Sequence, residues 1–206
     1  MNNQTSTPPP IPPIPKKKED DDIEDFGSDF LIPLKVFICD FEPPQISLIK
    51  SVMEKNLFRV ETFTKSPDLL NRLSFVVPDI VICEYHMPEV GQLELLKKIR
   101  KSRKDVPVIF ISGSITKDEL LRCLHHGLFA YLDKPLNLKL LMNTCVSGYK
   151  TQMTMKLLGR CVDFIDAQME EFQKYLIAAG EEKFFEALKF EYEKIREHKT
   201  ILESID

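Results

Sequence analysis

A chain of 206 residues, 43% hydrophobic and 29% charged, can bury one good core and carry an appendage. A net charge of −4 argues against a broad nucleic-acid face, and no apolar run approaches the ~20 residues that span a bilayer. The five cysteines, Cys39, Cys83, Cys123, Cys145 and Cys161, form no C-x-x-C pair, and no basic-then-apolar leader opens the sequence. A cytoplasmic protein with reduced thiols, without zinc or disulfides, is the expectation.

Residues 1–32 read as a disordered or extended tail. They hold a proline run from Pro8 to Pro15, three lysines from Lys16, and acids from Glu19 to Asp22. Pro12 and Pro15 with the following lysines also fit a P-x-x-P ligand shape, though a solvated tether is the simpler reading.

From Leu34 short apolar runs alternate with helical spacing. Strands are expected at Leu34–Cys39, Arg59–Phe63, Asp79–Cys83, Val106–Ile111 and Leu128–Leu132. Helices are expected at Pro43–Lys55, Asp68–Phe75, Leu93–Arg100 and Lys117–His126, with Gly127 as a C-terminal cap and Pro135 opening a last helix. The alternation implies a doubly wound, five-stranded parallel α/β sheet over residues 33–150. Over residues 151–206 only helical spacing continues, through Leu157, Leu158, Cys161, Val162, Ile165, Met169, Phe172 and Leu176. After Gly180 it resumes through Phe184, Phe185, Leu188, Tyr192 and Ile195. This second part reads as a helical hairpin, coiled-coil-like, whose apolar stripe needs a partner. A homodimer whose contact includes the tail is expected.

In parallel α/β folds ligands sit beyond the C-terminal strand ends. There the sequence places Cys39 and Asp40, Glu84, Ser112, and Lys134 with Pro135. The segments Val36-Phe-Ile-Cys-Asp40, Pro78-Asp-Ile-Val-Ile-Cys-Glu-Tyr-His-Met-Pro88, Val108-Ile-Phe-Ile-Ser-Gly113 and Ala130-Tyr-Leu-Asp-Lys-Pro135 resemble the signature segments of response-regulator receiver domains. The resemblance implies a flavodoxin-like receiver fold and a role in phosphorelay signalling without enzymatic activity. It casts Glu84 at the phosphoacceptor position, Ser112 and Lys134 as the phosphoryl pocket, Tyr131 as the switch aromatic and Asp40 as a metal-facing acid. It also implies a cis Lys134–Pro135 bond, and uses His86 only through its backbone.

Two positions depart from the family pattern: Cys39 stands for a first acid and Glu84 for the acceptor aspartate. A thiol is a poor Mg²⁺ ligand, so metal held by Asp40 and Glu84 is expected to be weak and no other cofactor is signalled. Glutamate moves its carboxylate outward by about 1.5 Å, and misplacement of that order costs on the order of 100-fold in rate. On this reading acids restored at 39 and 84 together would revive phosphorylation.

The function expected is therefore a phosphorylation-independent protein-interaction or dimerisation module, with Glu84 either mimicking a phosphoryl group or inert. The alternative is a working phosphoacceptor that signals through its helical segment. Partners expected are a sensor kinase or a downstream signalling protein, and neither nucleic acid nor a membrane. No dinucleotide fingerprint or P-loop supports an enzyme on this fold. His198, the one histidine of the tail, reads as a solvated surface residue.

Overall fold

The computed structural model describes residues 33–180 continuously and, beyond them, Glu186, Lys189, Phe190, Tyr192, Glu193, Lys194 and Glu197. In chain order the elements are β1 (Lys35–Cys39), α1 (Pro43–Lys55), β2 (Arg59–Phe63), α2 (Ser66–Phe75), β3 (Ile80–Glu84), α3 (Gln92–Ser102), β4 (Val108–Ser112), α4 (Lys117–His125), β5 (Ala130–Asp133) and α5 (Leu138–Ala179). All four strand pairings are parallel, in the order β2-β1-β3-β4-β5. The proline-rich segment, Phe184, Phe185, Leu188, Ile195 and His198 lie outside the described residues.

Side chains alternate across a strand, so each strand feeds two core layers. Val36, Ile38, Ile80, Ile82, Ile109 and Ile111 meet Ile49 and Met53 of α1 and Leu141, Met142 and Cys145 of α5. Phe37, Cys39, Val81, Cys83, Val108 and Phe110 meet Leu69, Leu73, Leu95, Leu96, Ile99 and Cys123 on the other side. Burial on both faces explains why β3 and β4 read as continuous apolar runs.

Strand starts shift by one or two residues from the sequence expectation because neighbouring turns claim the first apolar residues. The amide of Leu128 donates to Cys123 O and that of Gly127 to Leu124 O, each at 3.0 Å, closing α4 before β5 begins. Gly127, at φ 81°, supplies the left-handed residue of that cap, as expected.

The same cap ends α1 with a less suitable residue. Leu57 and Phe58 donate to Glu54 O and Met53 O, and Leu57 is left-handed at φ 63° with its side chain 62% exposed. A left-handed non-glycine costs about 1–2 kcal/mol, partly offset by the backbone entropy of glycine. Leu57→Gly is therefore expected to stabilise the protein by about 0.5–1 kcal/mol, measured by urea denaturation with an unchanged slope.

The expected boundary near residue 150 is absent. α5 is one 42-residue helix that starts in the sheet layer and leaves it. No proline interrupts it, and single glycines cost only about 1 kcal/mol within a helix. Gly148 instead allows close packing, since a Cβ there would meet Pro107 Cβ at 3.0 Å and Phe129 Cε1 at 3.1 Å. Gly180 ends the helix in the left-handed conformation at φ 75°. Every described residue from 186 onward is helical, and Lys189, Tyr192 and Glu193 line a cleft with Asp166, Met169, Glu170 and Gln173. The second arm thus returns antiparallel along α5, the expected hairpin with a longer first arm.

Candidate functional site

The strand order reverses direction between β1 and β3, so their C-terminal ends open the crevice where ligands of such sheets bind. Asp40 follows β1, Glu84 ends β3, Ser112 ends β4 and Lys134 follows β5. Asp40, Glu84 and Ser112 are buried, at 2%, 4% and 0% exposure.

Lys134 Nζ is the centre of the cluster. It lies 2.6 Å from Glu84 Oε2, 3.7 Å from Asp40 Oδ2 and 3.8 Å from Glu42 Oε2. The other Glu84 oxygen accepts from the His86 amide at 3.0 Å, and Asp40 Oδ1 accepts from the Glu42 amide at 2.8 Å. The Lys134–Pro135 peptide is cis.

Burial pushes the Asp40 carboxyl above its ordinary range, against the opposing pull of the Glu42 amide and the Lys134 ammonium. Burial works against the Lys134 charge too, but contact with Glu84 and the charges of Asp40, Glu84 and Glu42 hold its ammonium above the ordinary lysine range. Tyr131 donates to Asp133 Oδ1 at 3.0 Å and lies 3.4 Å from Ser112 O. Burial first, and that bond to Asp133 second, push the phenol up to about 12.

Four of the residues read from the sequence take other roles or places than expected. Ser112 is at the edge, but its hydroxyl donates to Ser114 O at 3.0 Å and accepts from Ser114 N at 3.2 Å, so it turns away from the Lys134–Glu84 pair. Cys39 does not face the pocket. It is fully buried in the layer under α2 to α4, against Cys83, its register partner on β3. The period-2 alternation of β1 dictates this, because Asp40 and Cys39 point to opposite faces. Contact with the Cys39 thiol, and then burial, raise the Cys83 thiol well above its ordinary range. The His86 ring also takes part, with Nε2 2.9 Å from Ser114 O. Glu42, not singled out in the sequence, completes the acidic ring. Its signal was available: it is the next acid after Asp40, on the turn that enters α1.

The three carboxylates do not fit a resident Mg²⁺. Magnesium demands a near-octahedral set of hard oxygens. Here the ammonium of Lys134 occupies the point to which the three carboxylates converge. Among the described residues no group of three metal-ligating side chains is arranged to hold a cation.

The doubly wound sheet with this acid–lysine edge defines a signalling receiver scaffold. The family model described as response regulator receiver domain matches residues 36–145, and the chain belongs to that family. The transcriptional regulatory protein TrcR of Mycobacterium tuberculosis is 26% identical over 107 residues, which is 52% of this chain and 42% of TrcR. The protein-glutamate methylesterase/protein-glutamine glutaminase of Clostridium acetobutylicum is 30% identical over 106 residues, 50% of this chain and 31% of that protein. The chain thus spans less than half the length of these relatives. The crystal structure of a CheY-like receiver domain protein from Methanospirillum hungatei JF-1 superposes with a TM-score of 0.57 at 20% identity, covering 59% of this chain and 98% of that one. The beryllofluoride-activated NtrC4 receiver domain dimer gives 0.55 at 17% identity, covering 57% and 98%. Among the described residues no helix is long and apolar enough to cross a membrane.

Proposed function

We propose that this receiver works without phosphorylation, as a protein-interaction module rather than an enzyme. The contact of Lys134 Nζ with Glu84 Oε2 at 2.6 Å carries the reading. The lysine assigned to a phosphoryl group is already engaged by the carboxylate at the acceptor position. Glu84 then supplies a permanent anion there, with one charge where a phosphoryl group approaches two. Its reach satisfies Lys134 but leaves the Ser112 hydroxyl turned to the Ser114 backbone, a partial imitation of an occupied pocket. Tyr131, tied to the Ser112 carbonyl edge, is the aromatic that would report the pocket state to the β5 surface. A sensor kinase or a downstream signalling protein is the partner class for that surface.

A working phosphoacceptor is the second reading, favoured by the retention of Asp40 and Glu42 beside Glu84. The intact mass after incubation with Mg²⁺ and a small-molecule phosphodonor separates the two. An unchanged mass is expected.

A further inference from the structure

α5 leaves the receiver after its buried stripe Leu141, Cys145, Gly148 and Gln152. From Met153 to Ala179 it presents two apolar edges. One, through Met169, is half-buried beside the returning arm, and Leu176 on that edge is buried. The other runs through Leu157, Cys161, Phe164, Ile165, Phe172 and Tyr175 and stays in solvent. Phe164 is 66% exposed and Tyr175 69%. Aromatic side chains bury ~150–250 Å² each, so this edge leaves on the order of 500 Å² of apolar surface uncovered. That exceeds what scattered surface apolar residues amount to, and approaches the ~800 Å² per partner of a stable interface.

We infer that this face pairs with the same face of a second copy, antiparallel, about a two-fold axis passing between residues 165 and 166. Three observations converge on that axis. The free flank of the face carries one exposed cation, Arg160, and one exposed anion, Glu171. At ~1.5 Å rise per residue they lie about 8 Å to either side of the axis. An isologous contact brings i onto j and j onto i, so Arg160 meets Glu171 of the second copy twice over. The same axis sets Gln152, the end of the receiver-facing stripe, opposite Ala179, the end of α5. The free part of the helix is therefore covered from end to end, with the two receivers at opposite ends of a four-helix bundle. Near the axis the exposed Phe164 of one copy packs over the small Ala167 of the other. A parallel pairing would turn the Arg160 flank toward the second arm of the other copy, and would place Cys161 level with Cys161.

The pairing deepens the reading of this protein as an interaction module and is independent of the phosphoryl pocket. Sedimentation equilibrium of the full chain at tens of micromolar is expected to give a dimer. Arg160→Glu and Glu171→Arg should each weaken it roughly tenfold, since each replaces two attractive rim contacts by repulsive ones. The double variant should recover wild-type affinity. Under a thiol oxidant Cys161 should not link the copies, because its mate lies about 13 Å away along the axis at ~1.5 Å per residue, beyond disulfide reach. A monomeric wild type, a double variant no tighter than the singles, or rapid Cys161–Cys161 linkage would overturn the pairing. None of these outcomes changes the phosphodonor result, so the pocket reading and the pairing fail separately.

Discussion

Cys39→Asp is expected to destabilise the protein by at least about 4 kcal/mol, the cost of an unpaired charge in a packed apolar layer. The residue is fully buried among Phe37, Leu69, Cys83 and Leu95, with no cation in that layer to receive a carboxylate. The variant should be largely unfolded or insoluble at 37 °C. Cys39→Ala removes one sulfur and should cost about 1 kcal/mol. Phe41→Asp, at a position 42% exposed beside the acidic cluster, should fold normally. Chemical denaturation of the three variants orders them. If Cys39→Asp is as stable as wild type, the side chain points to the pocket and the description of β1 is wrong. The expected revival of phosphorylation by acids at 39 and 84 fails on this ground, since the first substitution breaks the fold.

Lys134→Ala is the second large effect, with an expected loss of about 2–4 kcal/mol. The substitution leaves Asp40 and Glu84, both nearly fully buried, facing each other and Glu42 without a counter-ion. The loss sits below the upper range for buried pairs because the lysine side chain is 23% exposed and partly screened. Lys134→Ala with Glu84→Gln should regain most of it, because the penalty lies in the abandoned charge more than in the missing contact. The pH dependence has a definite sign. The Lys134 pKa is raised above the model 10.5, so its contribution is complete below that pH and is lost as pH rises through the folded value. The Asp40 pKa is raised above the model 3.8, so the folded state favours its neutral form. That contribution is present below pH 3.8 and lost as pH rises through the folded value, making ionised Asp40 a cost at neutral pH. Urea titrations at neutral and alkaline pH, with and without Lys134, measure the first of these. Loss of the Lys134 contribution in acid rather than in alkali would contradict the assignment.

The sheet was legible because its determinants are local. Five apolar runs spaced by helical segments admit few topologies, and Asp40, Glu84 and Lys134 were placed by strand ends alone. Three features were not legible, for three reasons. The orientation of Cys39 depends on strand parity, and a one-residue difference inverts which side chain meets the pocket. The bond of Ser112 to the Ser114 backbone is a choice between two acceptors that composition does not encode. The continuity of α5 past residue 150 follows from the absence of a stop signal, which a change in core partners conceals. Glu42 was readable as an acid, but its reach to Lys134 is a tertiary fact.

The central claim is that the Lys134–Glu84 pair replaces phosphorylation. Its direct test is the intact mass of the purified chain after incubation with Mg²⁺ and a small-molecule phosphodonor, read beside Glu84→Gln under the same conditions. The account predicts unchanged masses for both. A gain of one phosphoryl group that maps to Glu84 in the wild type, and is missing from Glu84→Gln, would contradict it.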